Sequence, residues 1–251
     1  MDVEELRLFW SAAQGRGQRQ EQEDSIFCSA LEQADADFAI VADGMGGYAG
    51  GAVASRLAVT AFSEYVNAQS ADMSAAQLSE ALNAANQAIA DYSVDSNWYT
   101  DMGTTLLAVL IQAGQLSYIS VGDSLLFLWR DGKIKIINTL HSYAEGLSEY
   151  LSQRKAGDPV AKLPLGHILT SSVSGQPIPR IDKSKSAMLL QPNDRIVLAS
   201  DGVLTLALPE LAEILSQPGD DIDYAQQIVT AVTAKQQSGQ DNTSVIVLTI
   251  T

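Results

Sequence analysis

The chain has 251 residues, 46% of them hydrophobic and 18% charged, which supports a large buried core and excludes extended disorder. Thirty acids against fifteen bases leave a net charge of −15, which argues against recognising nucleic-acid phosphates through clustered Lys and Arg. With the single cysteine no internal disulfide can close, no apolar run approaches the ~18 residues of a membrane span, and MDVEELRLFW shows no basic-then-apolar leader, so a cytoplasmic protein is the expectation.

Short apolar or alternating runs bounded by turn residues are expected as strands. The first three are RLFWSAAQ, DSIFCSAL and DFAIVAD. Cys28 lies in the second and is followed by SALEQADA, which holds no basic residue for a phosphate, so it is expected as a buried strand residue rather than a nucleophile. Helical periodicity covers 49–92, with Ser74 as a cap for its second half. TTLLAVLIQ, QLSYISVGD, LLFLWRDG and KIKIINTL over 104–140 are expected as a four-strand antiparallel meander with turns at AGQ, GDS and DGK. Residues 141–186 have weak periodicity and collect Gly, Pro and the bases Arg154, Lys155, Lys162, Lys183 and Lys185, as an inserted flap would. Strands SAMLLQ and DRIVLASD, a helical block over 208–237 and a last strand TSVIVLTI complete the chain. The pattern is that of an α+β fold, with helices laid on the outer faces of a β-sandwich.

The aspartates fall at strand ends. FAIVAD ends at Asp43 before Gly44, RIVLASD at Asp201 before Gly202, and LSYISVGD at Asp123; Asp241 and Asn242 precede the last strand. Asp-Gly is ordinary turn chemistry, and each case alone reads as a turn. Together, strands that each carry an Asp to one edge would gather carboxylates into an oxygen-only site suited to Mg²⁺ or Mn²⁺. With two histidines and one cysteine, a zinc cage is nearly excluded. GQRQEQEDS adds Glu23 and Asp24, with Arg19 nearby. Acids for metals beside an Arg for an anion is the equipment for metal-assisted hydrolysis of a phosphate ester.

RQEQEDS, VADGMGG, MGTTL, VGDS, LASDG and GQDNTSVIVL occur in this order over nearly the whole chain. In that ordered set the chain resembles the metal-dependent protein Ser/Thr phosphatases, the PPM or protein phosphatase 2C-like family, and Met45 after Asp43-Gly44 resembles the bacterial branch. The resemblance implies a four-layer α-β-β-α sandwich in a single domain over 1–251, with the flap at about 141–186 and a dinuclear Mn²⁺ or Mg²⁺ centre at one end. It implies that Asp43 bridges both metals, that the Gly44 carbonyl binds one, and that Asp201 and Asp241 complete the other. Glu23 and Asp24 would hold waters on the metals, Asp123 would match the ligand of a third, weaker site, and Arg19 would grip the substrate phosphate. The substrate would be a phosphorylated protein, with hydrolysis of phosphoserine and phosphothreonine monoesters by water, and the enzyme a monomer. Met45 has no proton to give, so a water is expected to protonate the leaving group.

Three positions depart from the family pattern: Gln22 stands for the usual Asn, Leu125 follows VGDS where Arg or another polar residue is usual, and TLHS at 139–142 lacks the acid before its His. None removes a metal ligand. GDSL is also the signature of a serine esterase class, which makes Ser124 a rival nucleophile. A triad needs base and orienter within reach, and the only histidines are His141 and His167, so a turn serine is preferred and His141 is expected to pack at the flap hinge. A phosphatase-like regulatory or binding module is the non-enzymatic alternative, against which the full ligand set argues. A two-metal nuclease suits the acids but not the net charge.

Overall fold

Each long strand coincides with an apolar run, because most of them are covered on both faces. The computed structural model describes residues 7–31, 34–46, 50–69, 75–95, 102–142, 147–156, 168–219 and 222–251. Strands β1 (Leu8–Gly15), β2 (Ser25–Leu31), β3 (Ala36–Ala42) and β4 (Gly44–Met45) come first. Helices α1 (Gly50–Asn67) and α2 (Ala75–Asp95) follow. Next are β5 (Gly103–Thr104), β6 (Leu106–Gln112), β7 (Gln115–Val121), β8 (Leu125–Arg130) and β9 (Lys133–Ile136). Then come α3 (Leu147–Gln153), β10 (Asp182–Lys183), β11 (Met188–Leu189) and β12 (Arg195–Ala199). A short 3₁₀ helix (Asp201–Thr205), α4 (Leu208–Leu215), α5 (Tyr224–Ala234) and β13 (Thr243–Ile250) end the fold.

Among the described residues the strands form two large antiparallel sheets, one in the order β1-β13-β12-β8-β9 and the other β10-β7-β6-β3-β2 with β11 also on β7, and β4 and β5 pair as a separate two-stranded sheet. Side chains alternate between faces along each strand. Ala39, Val41, Leu107 and Val109 therefore meet Leu126, Leu128, Ile196, Leu198, Ile246 and Leu248 between the sheets. Their neighbours Phe38, Ile40, Ala42, Leu106 and Ala108 face outward onto Ala54, Ala58 and Phe62 of α1 and Leu82 and Ile89 of α2. The outer face of the other sheet, with Phe127, Val197, Val245 and Val247, is covered by Leu211, Leu215, Tyr224, Ile228 and Val232 of α4 and α5. Three apolar layers between four structural layers make the α-β-β-α sandwich that the resemblance implied. No helix among the described residues is long and apolar enough to cross a membrane.

The meander expected over 104–140 does not form. β6 and β7 are a hairpin in one sheet and β8 and β9 a hairpin in the other, so Gly122, Asp123 and Ser124 carry the chain across the sandwich. Gly122 makes this passage at φ 101°, where a Cβ would sit 2.6 Å from the Thr105 side chain. A Gly-Asp turn looks alike in sequence whether it closes a hairpin or changes sheets. SAMLLQ shortens to β11, a two-residue strand on β7. Cys28 is half-buried rather than buried, and burial pushes its thiol up to about 11. Ser74, Lys162 and His167 lie outside the described residues.

The described parts of 141–186 attach to both halves of the sandwich. Leu151 of α3 enters the apolar layer under α4 and α5. Val173 enters the layer under α1 and α2, and Thr104 pairs with it as an isolated bridge. Beyond Val173, the Gly175 N–H donates to Asn86 Oδ1 on α2 at 2.9 Å, and Asn86 Nδ2 donates back to the Gln176 carbonyl at 3.0 Å.

Candidate metal centre

Asp43 stands where β3 runs out, and the chain on both sides of it is pinned. Its N–H donates to Thr105 Oγ1 at 2.9 Å, and its carbonyl accepts from the Thr105 N–H and from Thr104 Oγ1, also at 2.9 Å. Gly44 and Met45 then pair with Thr104 and Gly103. The Gly44 N–H donates to the Glu23 carbonyl at 3.2 Å, which draws the Glu23-Asp24 corner against this strand end. A Cβ on Gly51, in the first turn of α1, would lie 2.8 Å from Glu23 Oε1 and 2.9 Å from the Gly44 carbonyl oxygen. One side-chain oxygen and one backbone oxygen thus converge over a bare glycine.

Asp24 is 5% exposed. Its Oδ2 accepts from Ser244 Oγ at 2.7 Å and Ser200 Oγ at 2.8 Å, while its buried Oδ1 has no partner. Ser200 directly precedes Asp201, so the same serine fixes both acids. The two bonds to Asp24 come from strand-end serines that the sequence reading passed over; a hydroxyl inside an otherwise apolar strand end was the available signal. Gln22 Oε1 accepts the Asp24 N–H at 3.1 Å and braces the corner from the other side.

Asp241 and Asn242 tie in the loop that carries Arg19. Asn242 Oδ1 accepts the Glu23 N–H at 2.9 Å, and Asn242 Nδ2 donates to the carbonyls of Arg16 and Glu21 at 2.9 and 3.0 Å. Arg19 Nη2 forms an ion pair with Asp241 Oδ2 at 2.5 Å. Arg19, expected to grip a phosphate, thus rests on an expected metal ligand. Asp123 is brought in by the crossover between sheets and is 9% exposed.

The carboxylates act on one another. Burial, then the charges of Asp24, Asp201, Asp123 and Asp241, hold the Asp43 carboxyl well above the usual range. Burial, then Asp123, Asp241 and Asp24, do the same to Asp201, against a smaller opposing pull from Arg19. Burial pushes Asp24 and Asp123 up to about 6. The charges of acids at five strand ends thus reach one another. It is not a closed cage: among the described residues no group of three His, Cys, Asp or Glu side chains is arranged to hold an ion by itself. Like charges repel, Arg19 engages Asp241, and a hard divalent cation also draws on backbone oxygen and water. The orphaned Asp24 Oδ1, the bare cradle at Gly51 and an all-oxygen donor set fit Mg²⁺ or Mn²⁺.

Among the described residues the rival site does not assemble. Ser124 is buried and bonded to Thr105 Oγ1 at 2.6 Å. His141 is buried: its Nδ1 accepts the Gly122 N–H at 3.2 Å and its backbone N–H donates to the Gly122 carbonyl at 2.9 Å. Burial lowers its pKa, consistent with a neutral ring. Leu125, the departure after VGDS, opens β8 and is wholly buried in the same apolar layer as Phe127 and Val203.

The family model of protein phosphatase 2C matches residues 14–237. The serine/threonine protein phosphatase PstP of Mycobacterium tuberculosis is 28% identical over 244 residues, covering 96% of this chain but 45% of PstP, so the chain spans about half the length of that relative. The serine/threonine phosphatase Stp of Listeria monocytogenes is 28% identical over 215 residues, covering 83% of this chain and 82% of that one. A crystal structure of the PstP catalytic domain in complex with two manganese ions superposes with a TM-score of 0.79 at 27% identity, covering 98% of this chain and 99% of that one. From the match across most of its length, on the fold the motifs implied, this chain belongs to the protein phosphatase 2C family.

Proposed function

We propose that the chain hydrolyses phosphoserine and phosphothreonine monoesters on proteins, using two Mn²⁺ or Mg²⁺ ions held by Asp43, the Gly44 carbonyl, Asp201 and Asp241, with Glu23 and Asp24 placed to hold water and Asp123 at the edge of the set. The observation that carries this reading is the convergence of those acids beside Arg19. Phosphate monoesters resist hydrolysis because their charge repels an attacking hydroxide. Two divalent ions supply a nucleophilic water at neutral pH and neutralise charge developing on phosphorus.

The rest falls to the chain. Two serine hydroxyls hold Asp24 Oδ2, leaving Oδ1 to accept from water. Thr104 and Thr105 hold Asp43 at a fixed angle through three bonds to its backbone. Arg19 sits at the exposed rim, where it can leave Asp241 and offer paired N–H donors to a phosphate. Met45 donates nothing, and neither Ser124 nor Cys28 is placed as a nucleophile. Hydrolysis of p-nitrophenyl phosphate and of a phosphothreonine peptide across a Mn²⁺ titration tests the reading. Activity that rises with Mn²⁺ and disappears in Asp201→Asn is expected; no activity at any Mn²⁺ concentration, or full activity in Asp201→Asn, overturns it.

A further inference from the structure

Arg154 is one of the bases that the sequence collects in the flap, and the structure buries it. It follows α3 and is 6% exposed. Its guanidinium donates to three consecutive carbonyls: Nη1 to Leu204 and, at 3.2 Å, to Leu206, and Nη2 to Thr205 at 3.1 Å. Those carbonyls close the 3₁₀ helix Asp201–Thr205, whose first residue is an expected metal ligand. The last carbonyls of a helix have no partner within it, and a cation there satisfies them and matches the local dipole. A buried guanidinium would be costly without such partners, so the charge and the carbonyls hold each other in place.

The other end of the same segment is also fixed. The Ser200 N–H donates to the Ser244 carbonyl at 3.0 Å, and Ser200 Oγ donates to Asp24. Gly202 lies so close to the backbone of Asn242 that a Cβ would have no room there. Between these anchors the direction of Asp201 depends on where the helix ends, and Arg154 sets that end. Leu151, one turn earlier on α3, is buried in the same apolar layer as Val203 and Leu206, so the grip on the helix also seats the start of the flap.

We propose that Arg154 is a positioning residue that couples the flap to the metal centre by holding the C-terminal end of the Asp201 helix. This rests on the metal reading given above. Groups that orient metal ligands without touching the metal typically change affinity roughly 10–100-fold when removed. The test is isothermal titration of Mn²⁺ into the wild-type chain, Arg154→Met, Arg154→Lys and Ile228→Ala, with a thermal melt of each. Ile228 lies in the same apolar layer and its side chain has no hydrogen-bonding atom, so it serves as a control for lost packing alone. Arg154→Met is expected to bind Mn²⁺ about tenfold or more weakly, Arg154→Lys to recover part of that loss, and Ile228→Ala to melt earlier with unchanged affinity. Wild-type binding retained by Arg154→Met, or an equal loss in Ile228→Ala, overturns the proposal. Should Arg154→Met not fold, Arg154→Lys binding Mn²⁺ as the wild type does would overturn it equally. Absence of Mn²⁺ binding in the wild-type chain would instead refute the metal reading itself.

Discussion

Arg19 and Asp241 form an ion pair at 2.5 Å at the exposed rim of the acidic cluster, with 49% and 38% of their side chains accessible. A pair this open contributes at most about 1 kcal/mol, so its meaning lies in what competes for each partner. In the proposed function a cation would claim Asp241 and a phosphate would claim Arg19.

Removing the guanidinium should separate the two claims. Arg19→Ala is expected to fold normally and bind Mn²⁺ at least as tightly as the wild type, since Asp241 loses its competitor. Its kcat/KM on a phosphothreonine peptide should fall by about tenfold or more, as for a lost charged hydrogen bond. Calorimetry and steady-state kinetics read both quantities; weakened Mn²⁺ binding would mean that Arg19 organises the ligands instead.

The raised carboxyls set a pH dependence for the metal-free protein. An ordinary carboxylate titrates near about 4, whereas Asp24 and Asp123 are pushed to about 6 in the fold by burial, and Asp43 and Asp201 also upward. Between these values the folded chain binds more protons than the unfolded chain, so stability is fully present below pH 4 for these groups and is lost as pH rises through 6. In chelator, the melting temperature should be higher at pH 5 than at pH 7 by at least about 3 °C, and Mn²⁺ at pH 7 should restore it. A metal-free melt that rises from pH 5 to 7 would contradict the clustering.

Ser124→Ala separates the esterase reading from the structural one. Losing the bond to Thr105 should cost about 1 kcal/mol of stability. Phosphatase activity should stay within about tenfold of the wild type, whereas removal of a nucleophilic serine costs roughly 10⁶-fold. A loss of that size would reinstate Ser124 as the attacking group.

Gly51→Ala sets helix propensity against the cradle. Alanine within a helix is favoured over glycine by about 1 kcal/mol, which taken alone would stabilise α1. Its methyl would sit 2.8 Å from Glu23 Oε1 and from the Gly44 carbonyl carbon, so those groups must shift. Weaker Mn²⁺ binding, by roughly tenfold, is the expected outcome by calorimetry; unchanged affinity would show that the cradle is not used.

Much of this protein is decided locally. Apolar runs that end in Asp, a helical block on either side of the strands and a near absence of His and Cys already specify an α+β chain with oxygen donors at strand ends, because period, turn chemistry and donor type belong to neighbouring residues. What no local pattern contains is which strands share a sheet. The turn at Gly122-Asp123-Ser124 reads as a hairpin and is a crossover, and only the packing of Leu126 and Leu128 against the opposite sheet decides it. The same holds at the site. Arg19 and Asp241 are 222 residues apart, and Arg154 meets the Asp201 helix across the fold. The acids were legible one at a time; their mutual repulsion, their serine partners and the cation behind Asp201 exist only once burial brings distant strand ends together.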